Sequence, residues 1–279
     1  MTSRERDGLA RPDRLFARAA EAYRERWKPA LAIVLLGNAA FLAAFLTAGA
    51  VSLGSFFFAP SLGATVVIFA VATACVFSLG VLAWSQAALF LAAVPSSASP
   101  GLASCLDASW RRLPGFALVC CLYLAACVGG TCLLLAPGLA ASLYLVFGPL
   151  IYLTEDVGPV EALLKSWHYV KGHSWPVLGR LCALGAVGSL PGFVPLAGVL
   201  LQLLAWPFVL MCLAALLEEL RRLRGSEPFV PARWEKATLA VVAGCSAIPL
   251  LLLPWALPRI MAYLAGHSGQ WLDLLMRSR

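Results

Sequence analysis

Glu155, Asp156, Glu161, Lys165, His168, Lys171 and His173 form the one dense group of titratable side chains in this 279-residue chain. Such a group has two chemical uses. Glu155, Asp156 and His168 or His173 could hold a metal or a lipid headgroup, or act as acid and base on a headgroup ester. The spacing argues for something plainer. Neither a His-Glu-x-x-His nor an Asp-x-Asp pattern occurs. Glu161 and Lys165 lie one helical turn apart in the favourable order for an ion pair, and Asp107 and Arg111 repeat that spacing. The pattern predicts solvated, ion-paired helices. Glu155, Asp156, Glu161, His168 and His173 stand as candidate binding residues, with no catalytic residue and no metal ligand assigned.

Other chemistries lack their residues. There is no Gly-x-Ser-x-Gly elbow, phosphate-binding glycine loop or dinucleotide fingerprint. The nine cysteines lie in or beside apolar runs, without Cys-x-x-Cys or Cys–His zinc spacing. They read as small packing residues, and no disulfide, metal or cofactor is expected.

The elements that must position these side chains follow from composition. Hydrophobic residues are 61% and charged residues 13% of the chain, against about 45–50% and about 25% in soluble domains. Such a chain cannot cover itself with polar surface in water, nor is it poor enough in apolar residues to be disordered. It belongs in a bilayer. The stretch Ala30–Ala50 carries no charge and, as a helix, spans about 31 Å. Further spans are expected at Leu62–Val94, Gly115–Ala136, Gly138–Thr154, about Trp175–Leu190 and Val194–Leu217. A seventh run, Ala237–Leu257, is interrupted by Pro249 and Pro254. The fold class is therefore all-α, a polytopic helical membrane protein of six to seven transmembrane helices. Residues 1–29 predict an amphipathic helix on the membrane surface, closed by Trp27-Lys28-Pro29. Residues 30–224 form the six-span domain. Residues 225–279 add the seventh run and an interfacial tail.

The net charge of +7 does not point to nucleic acid, because Lys and Arg flank the apolar runs. With the N-terminus in the cytoplasm, all basic residues but Arg180, Arg259, Arg277 and Arg279 fall on the cytoplasmic side. Arg180, a turn or two into span five, is expected to snorkel to the inner interface. The spans are otherwise nearly free of charge, which weakens ion-coupled transport. Asn38 and Gln202 read as hydrogen-bond partners between helices. The expected partners are the bilayer and anionic headgroups, with a membrane-protein partner or a second copy also open.

An offset of 57 residues brings Gly101, Leu106, Ser109-Trp110 and Gly115 over Gly158, Leu163, Ser166-Trp167 and Gly172. Each segment precedes a span ending in Pro-Gly: Pro137-Gly138 and Pro191-Gly192. Two parallel copies, 99–154 and 156–217, are implied, each a hairpin introduced by a cytoplasmic amphipathic helix. Trp suits the headgroup level, and the glycine suits the turn from in-plane to spanning.

Pro137-Gly138, Glu155, Gly158-Pro159, Ala162-Leu163, Ser166-Trp167 and Lys171-Gly172, with Pro207 and the charged exit Glu218-Glu219-Leu220-Arg221-Arg222 of span six, resemble a known bacterial family. It comprises the membrane domain attached to some glycerophosphoryl diester phosphodiesterases and the related YciC-type inner-membrane proteins. The resemblance covers roughly residues 10–225 and implies a multi-pass protein of the bacterial cytoplasmic membrane. No stretch of the chain matches the phosphodiesterase barrel, so hydrolysis is not carried over. The leading expectation is a non-catalytic scaffold, assembly or lipid-interacting module. A carrier or channel for a neutral or amphiphilic solute comes second, and a headgroup enzyme using Glu155, Asp156 and His168 third.

Overall fold

The computed structural model describes residues 12–58, 63–94, 101–133, 135–193, 197–224 and 233–245, with isolated positions at 229, 231, 248, 258–259 and 262. In chain order the helices are α1 (Pro12–Phe58), α2 (Gly63–Ala93), α3 (Leu102–Leu133), α4 (Leu135–Leu145), α5 (Gly148–Thr154), α6 (Pro159–Val170), α7 (Ser174–Ser189), α8 (Ala197–Arg224) and α9 (Arg233–Gly244). A 3-10 turn, Leu190–Phe193, follows α7, and no strand occurs among the described residues. Among the described residues, six segments are long and apolar enough to cross a membrane: Arg14–Ser55, Thr65–Ala93, Leu102–Cys132, Leu135–Thr154, Ser174–Phe193 and Leu201–Arg224. The chain is an all-α polytopic membrane protein. Phe57, Phe69 and Val76 are 79%, 70% and 72% exposed, a surface that water would not tolerate and lipid solvates.

Two compact units divide the chain, one of residues 1–120 and 143–230, the other of 121–142 and 231–279. In the first, α1 presents Leu15, Ala19, Ala30, Ile33 and Val34 to Ala88, Leu89, Ala92 and Ala93 of α2 and to Leu210, Leu213, Leu217 and Leu220 of α8. Between spans, lipid removes most of the hydrophobic drive, so close packing must hold the helices. Gly37 supplies it: a Cβ there would lie 2.7 Å from Ser85 Cβ. In the second unit Gly130 and Gly138 play the same part, since a Cβ on Gly130 would lie 2.9 Å from Gly138 Cα.

Several expected boundaries move. The N-terminal segment is not a separate surface helix ending at Trp27-Lys28-Pro29, because α1 runs through Pro29 to Phe58. Proline removes one helical hydrogen bond, but Leu15 and Ala19 before it and Ala30 and Ile33 after it bury in one core. The first helix also runs past the expected end of span one at Ala50, as far as Phe58. Likewise, the short helix before span three is continuous with it as α3, through Pro114 and Gly115. Pro137-Gly138 is not the turn but lies in the first turns of α4, where proline's missing N–H costs little. Pro191-Gly192 does lie at the end of α7, in the 3-10 turn. The fourth span breaks at Val146-Phe147 into α4 and α5, where Pro149 cannot donate to a carbonyl one turn back. Of the seventh run, α9 covers the start; positions 246–247 and 249–257 lie outside the described residues, as do Ser99, Pro100 and the tail beyond position 262.

Gly115 has a role other than turning the chain. A Cβ on it would collide with Oη and Cζ of Tyr152. Gly115→Ala is expected to cost about 1–3 kcal/mol by overpacking. Gly185→Ala, where nothing lies within 4 Å of the new carbon, should be neutral. The thermal midpoints of the two purified variants check this.

Candidate functional site

The charged group is built where α5 hands over to α6. Thr154 ends α5, and Glu155 follows it in extended conformation (φ −115°, ψ 148°). Gly158 and Pro159 then start α6, where proline suits the first helical position. On α6, Lys165 and Tyr169 are one turn apart and share a face. Arg221 arrives from the last turn of α8.

Lys165, Tyr169 and Arg221 close on the one carboxylate of Glu155. Lys165 Nζ donates to Glu155 Oε2 at 2.8 Å. Arg221 Nε donates to Glu155 Oε1 at 3.0 Å, with Nη2 at 2.9 Å from the same oxygen. Tyr169 Oη donates to Oε1 at 3.4 Å, and Arg221 Nη2 also donates to Thr154 Oγ1. The side chains of Glu155, Lys165 and Arg221 are only 20%, 19% and 27% exposed, so solvent screens this network less than a surface pair. Burial disfavours the Lys165 charge, but the hydrogen bond and charge of Glu155 more than offset it, and the ammonium is held above its usual value. Burial, then the Glu155 carboxylate, pushes the Tyr169 phenol up against the opposing pull of Lys165 and Arg221.

Two more cations finish helix ends nearby. Arg112 Nη1 donates to Leu153 O at 3.0 Å, and Arg224 Nη1 donates to His168 O at 2.7 Å. Both carbonyls lie in last turns, where helices leave acceptors unsatisfied and favour positive charge.

Of the expected binding residues, only Glu155 sits at the centre. Asp156 and Glu161 are exposed. Lys165 pairs with Glu155 rather than with Glu161, a correction with a geometric reason. The extended backbone at Glu155 brings a carboxylate to the shielded side of α6, where a charge partner is worth more than on the wet side. Asp107 and Arg111 do pair, at 3.0 Å and highly exposed. The His168 ring packs edge-on to Phe229 at 5.6 Å, and His173 stands at the N-cap of α7 without a capping hydrogen bond. Among the described residues no group of three or more His, Cys, Asp or Glu is placed to hold a metal. All nine cysteines are free thiols.

The two Ser-Trp pairs share a setting. Ser109 and Ser166 are both fully buried. Trp110 meets Trp84 of α2 edge-on at 6.0 Å, and Trp167 stacks on Tyr144 of α4 at 4.6 Å. Trp84 Nε1 donates to Leu106 O at 3.2 Å. Their hydroxyls differ. Ser109 Oγ only donates back to Leu106 O at 2.8 Å. Ser166 Oγ donates to Tyr144 O at 2.7 Å and accepts from Phe147 N at 3.2 Å, so it satisfies both sides of the break between α4 and α5. Gly172 follows α6 at φ +92°, the left-handed residue that glycine supplies after a helix.

Two polar expectations along the spans change, and a third polar side chain, Gln86, has a partner on another helix. Arg180 does not snorkel: it is 8% exposed, and the Glu219 carboxylate acts on its charge. A charge this far inside is retained only beside an opposite one. Asn38 bonds within its own helix, Nδ2 donating to Val34 O at 2.8 Å, rather than to a neighbour. Gln86 accepts from Trp206 Nε1 at 3.0 Å, joining α2 to α8.

No protein-family model, no curated protein and no solved structure matches the chain.

Proposed function

We propose that this protein is a non-catalytic scaffold or lipid-interacting module of the bacterial cytoplasmic membrane, with its N-terminus in the cytoplasm. One observation carries the reading. The densest charged cluster is closed on itself, with both oxygens of Glu155 engaged by cations. A carboxylate so engaged has neither oxygen free for a substrate, and a metal would have to displace an ammonium and a guanidinium to reach it. The likeness of Ser166-Trp167 to Ser109-Trp110 supports two parallel copies, and the Lys and Arg that flank the spans suit anionic headgroups. Membership of the phosphodiesterase-associated and YciC-type membrane family fits the same picture.

Purified protein offered glycerophosphodiesters should show no turnover above a buffer control. Hydrolysis that disappears in Glu155→Ala would overturn the reading.

A second reading rests on a different feature. The outer halves of α1 and α2 enclose a groove of about 780 Å³, lined by Ala44, Thr47, Ala48, Phe69, Thr73 and Phe77 among others. Its apolar walls suit a carrier for a neutral or amphiphilic solute.

A further inference from the structure

A second, separate recess lies between the charged end of α1 and the charged end of α8. It measures about 490 Å³, within the usual range of small-ligand sites, about 300–1,000 Å³. Arg18, Glu21 and Glu25 line it from one face of α1, spaced at three and four residues, while Glu218, Glu219 and Arg222 line it from α8. The floor is alanine side chains and Met211.

Its charges are unevenly satisfied. Arg222 is paired with Glu218. Arg26, also on the wall, donates to the carbonyls of Ala92 and Val94 at the end of α2. Arg18, Glu21 and Glu25 carry no such bond to another described residue. Glu21 and Glu25 lie one turn apart on α1, where like charges repel. Glu219 already answers Arg180, which leaves Glu21, Glu25 and Glu218 with Arg18, Arg26 and Arg222 around one recess. A pure anion would leave Glu21 and Glu25 unanswered, and a simple cation would leave Arg18 unanswered. A group carrying both an ammonium with N–H donors and a phosphate complements both sets.

The location agrees. Ala30 begins the charge-free stretch of α1. Glu25 stands about 7.5 Å along the helix from it, and the headgroup layer is about 5–7.5 Å thick on each side of a bilayer.

We propose that this recess binds the headgroup of a zwitterionic aminophospholipid, the ammonium between Glu21 and Glu25 and the phosphate against Arg18 and Arg222. The assignment rests on the lipid-interacting reading above and deepens it. Protein purified in detergent is titrated with phosphatidylethanolamine, phosphatidylcholine and phosphatidylglycerol of identical chains, and bound lipid is read by native mass spectrometry. Phosphatidylethanolamine should bind roughly tenfold tighter than phosphatidylcholine, whose methyl groups remove the N–H donors, the scale of one charge-assisted hydrogen bond. E21Q/E25Q should abolish that preference without weakening phosphatidylglycerol binding. Equal binding of ethanolamine and choline lipids, preference for phosphatidylglycerol, or a preference that survives E21Q/E25Q would overturn the proposal. Should the double variant fail to fold, E25Q alone carries the same test. A flat lipid profile with no hydrolysis would sink this site and leave the scaffold reading standing.

Discussion

Glu155→Ala is expected to destabilise the protein by about 2–4 kcal/mol, the largest loss of any single charge removal. The substitution takes away the acceptor of Lys165, Tyr169 and Arg221 together. It leaves two cations mostly shielded from water and without their counter-charge. Removing one partner of a fully buried pair costs about 3–5 kcal/mol, and the roughly one-fifth exposure of this carboxylate scales that down. Glu155→Gln should fall between, because the amide oxygen still accepts a hydrogen bond without supplying charge. Asp107→Ala is the contrasting control. Its pair with Arg111 is 77% and 64% exposed, so its loss should cost no more than about 0.5 kcal/mol. Thermal midpoints in one detergent, compared across the three variants, give the order.

The second large effect concerns Ser166. Ser166→Ala should cost about 2–4 kcal/mol, since it orphans a buried N–H and a part-buried carbonyl at once. The groups in question are Phe147 N and Tyr144 O, at the break that Pro149 forces in the fourth span. Ser166 is fully buried in protein, so no water stands ready to replace the lost hydroxyl. Ser109→Ala should cost less than about 1 kcal/mol, because Leu106 O keeps the Trp84 N–H as a donor. Equal losses at the two serines would contradict the bridging role of Ser166. Both serines are equally buried, so the difference isolates hydrogen bonding from packing.

The spans were legible from the sequence because a charge-free stretch of bilayer length has few alternatives. Ala30–Ala50 lies wholly inside α1 and Leu62–Val94 coincides with α2 to a residue at either end. The helix ends were less legible. Pro29 and Pro114 read as boundaries, yet packing on both sides carries α1 and α3 through them. Conversely, Gly148-Pro149 is the local signal for a true break, hidden within an unbroken run of apolar residues. Gly115 shows the same limit: whether a glycine turns a chain or makes room for a ring depends on Tyr152, distant in sequence.

The site divides in the same way. Glu155 stood out as a carboxylate at the end of an apolar run, and Lys165 and Tyr169 share a helical face that spacing alone reveals. Arg221 did not, because nothing local ties the end of α8 to the end of α5. The i,i+4 rule offered Glu161 as the partner of Lys165, and a shielded tertiary partner displaced it. Local rules rank neighbours along one helix. They cannot weigh a carboxylate delivered by another.

The most direct test of the account is a double-mutant cycle on Glu155 and Arg221, read as stability of the purified protein. If this cluster holds α5, α6 and α8 together, the two losses are strongly non-additive, with a coupling of about 1–3 kcal/mol. Additive losses, with coupling below about 0.5 kcal/mol, would contradict it and return Glu155 to the residues available for chemistry.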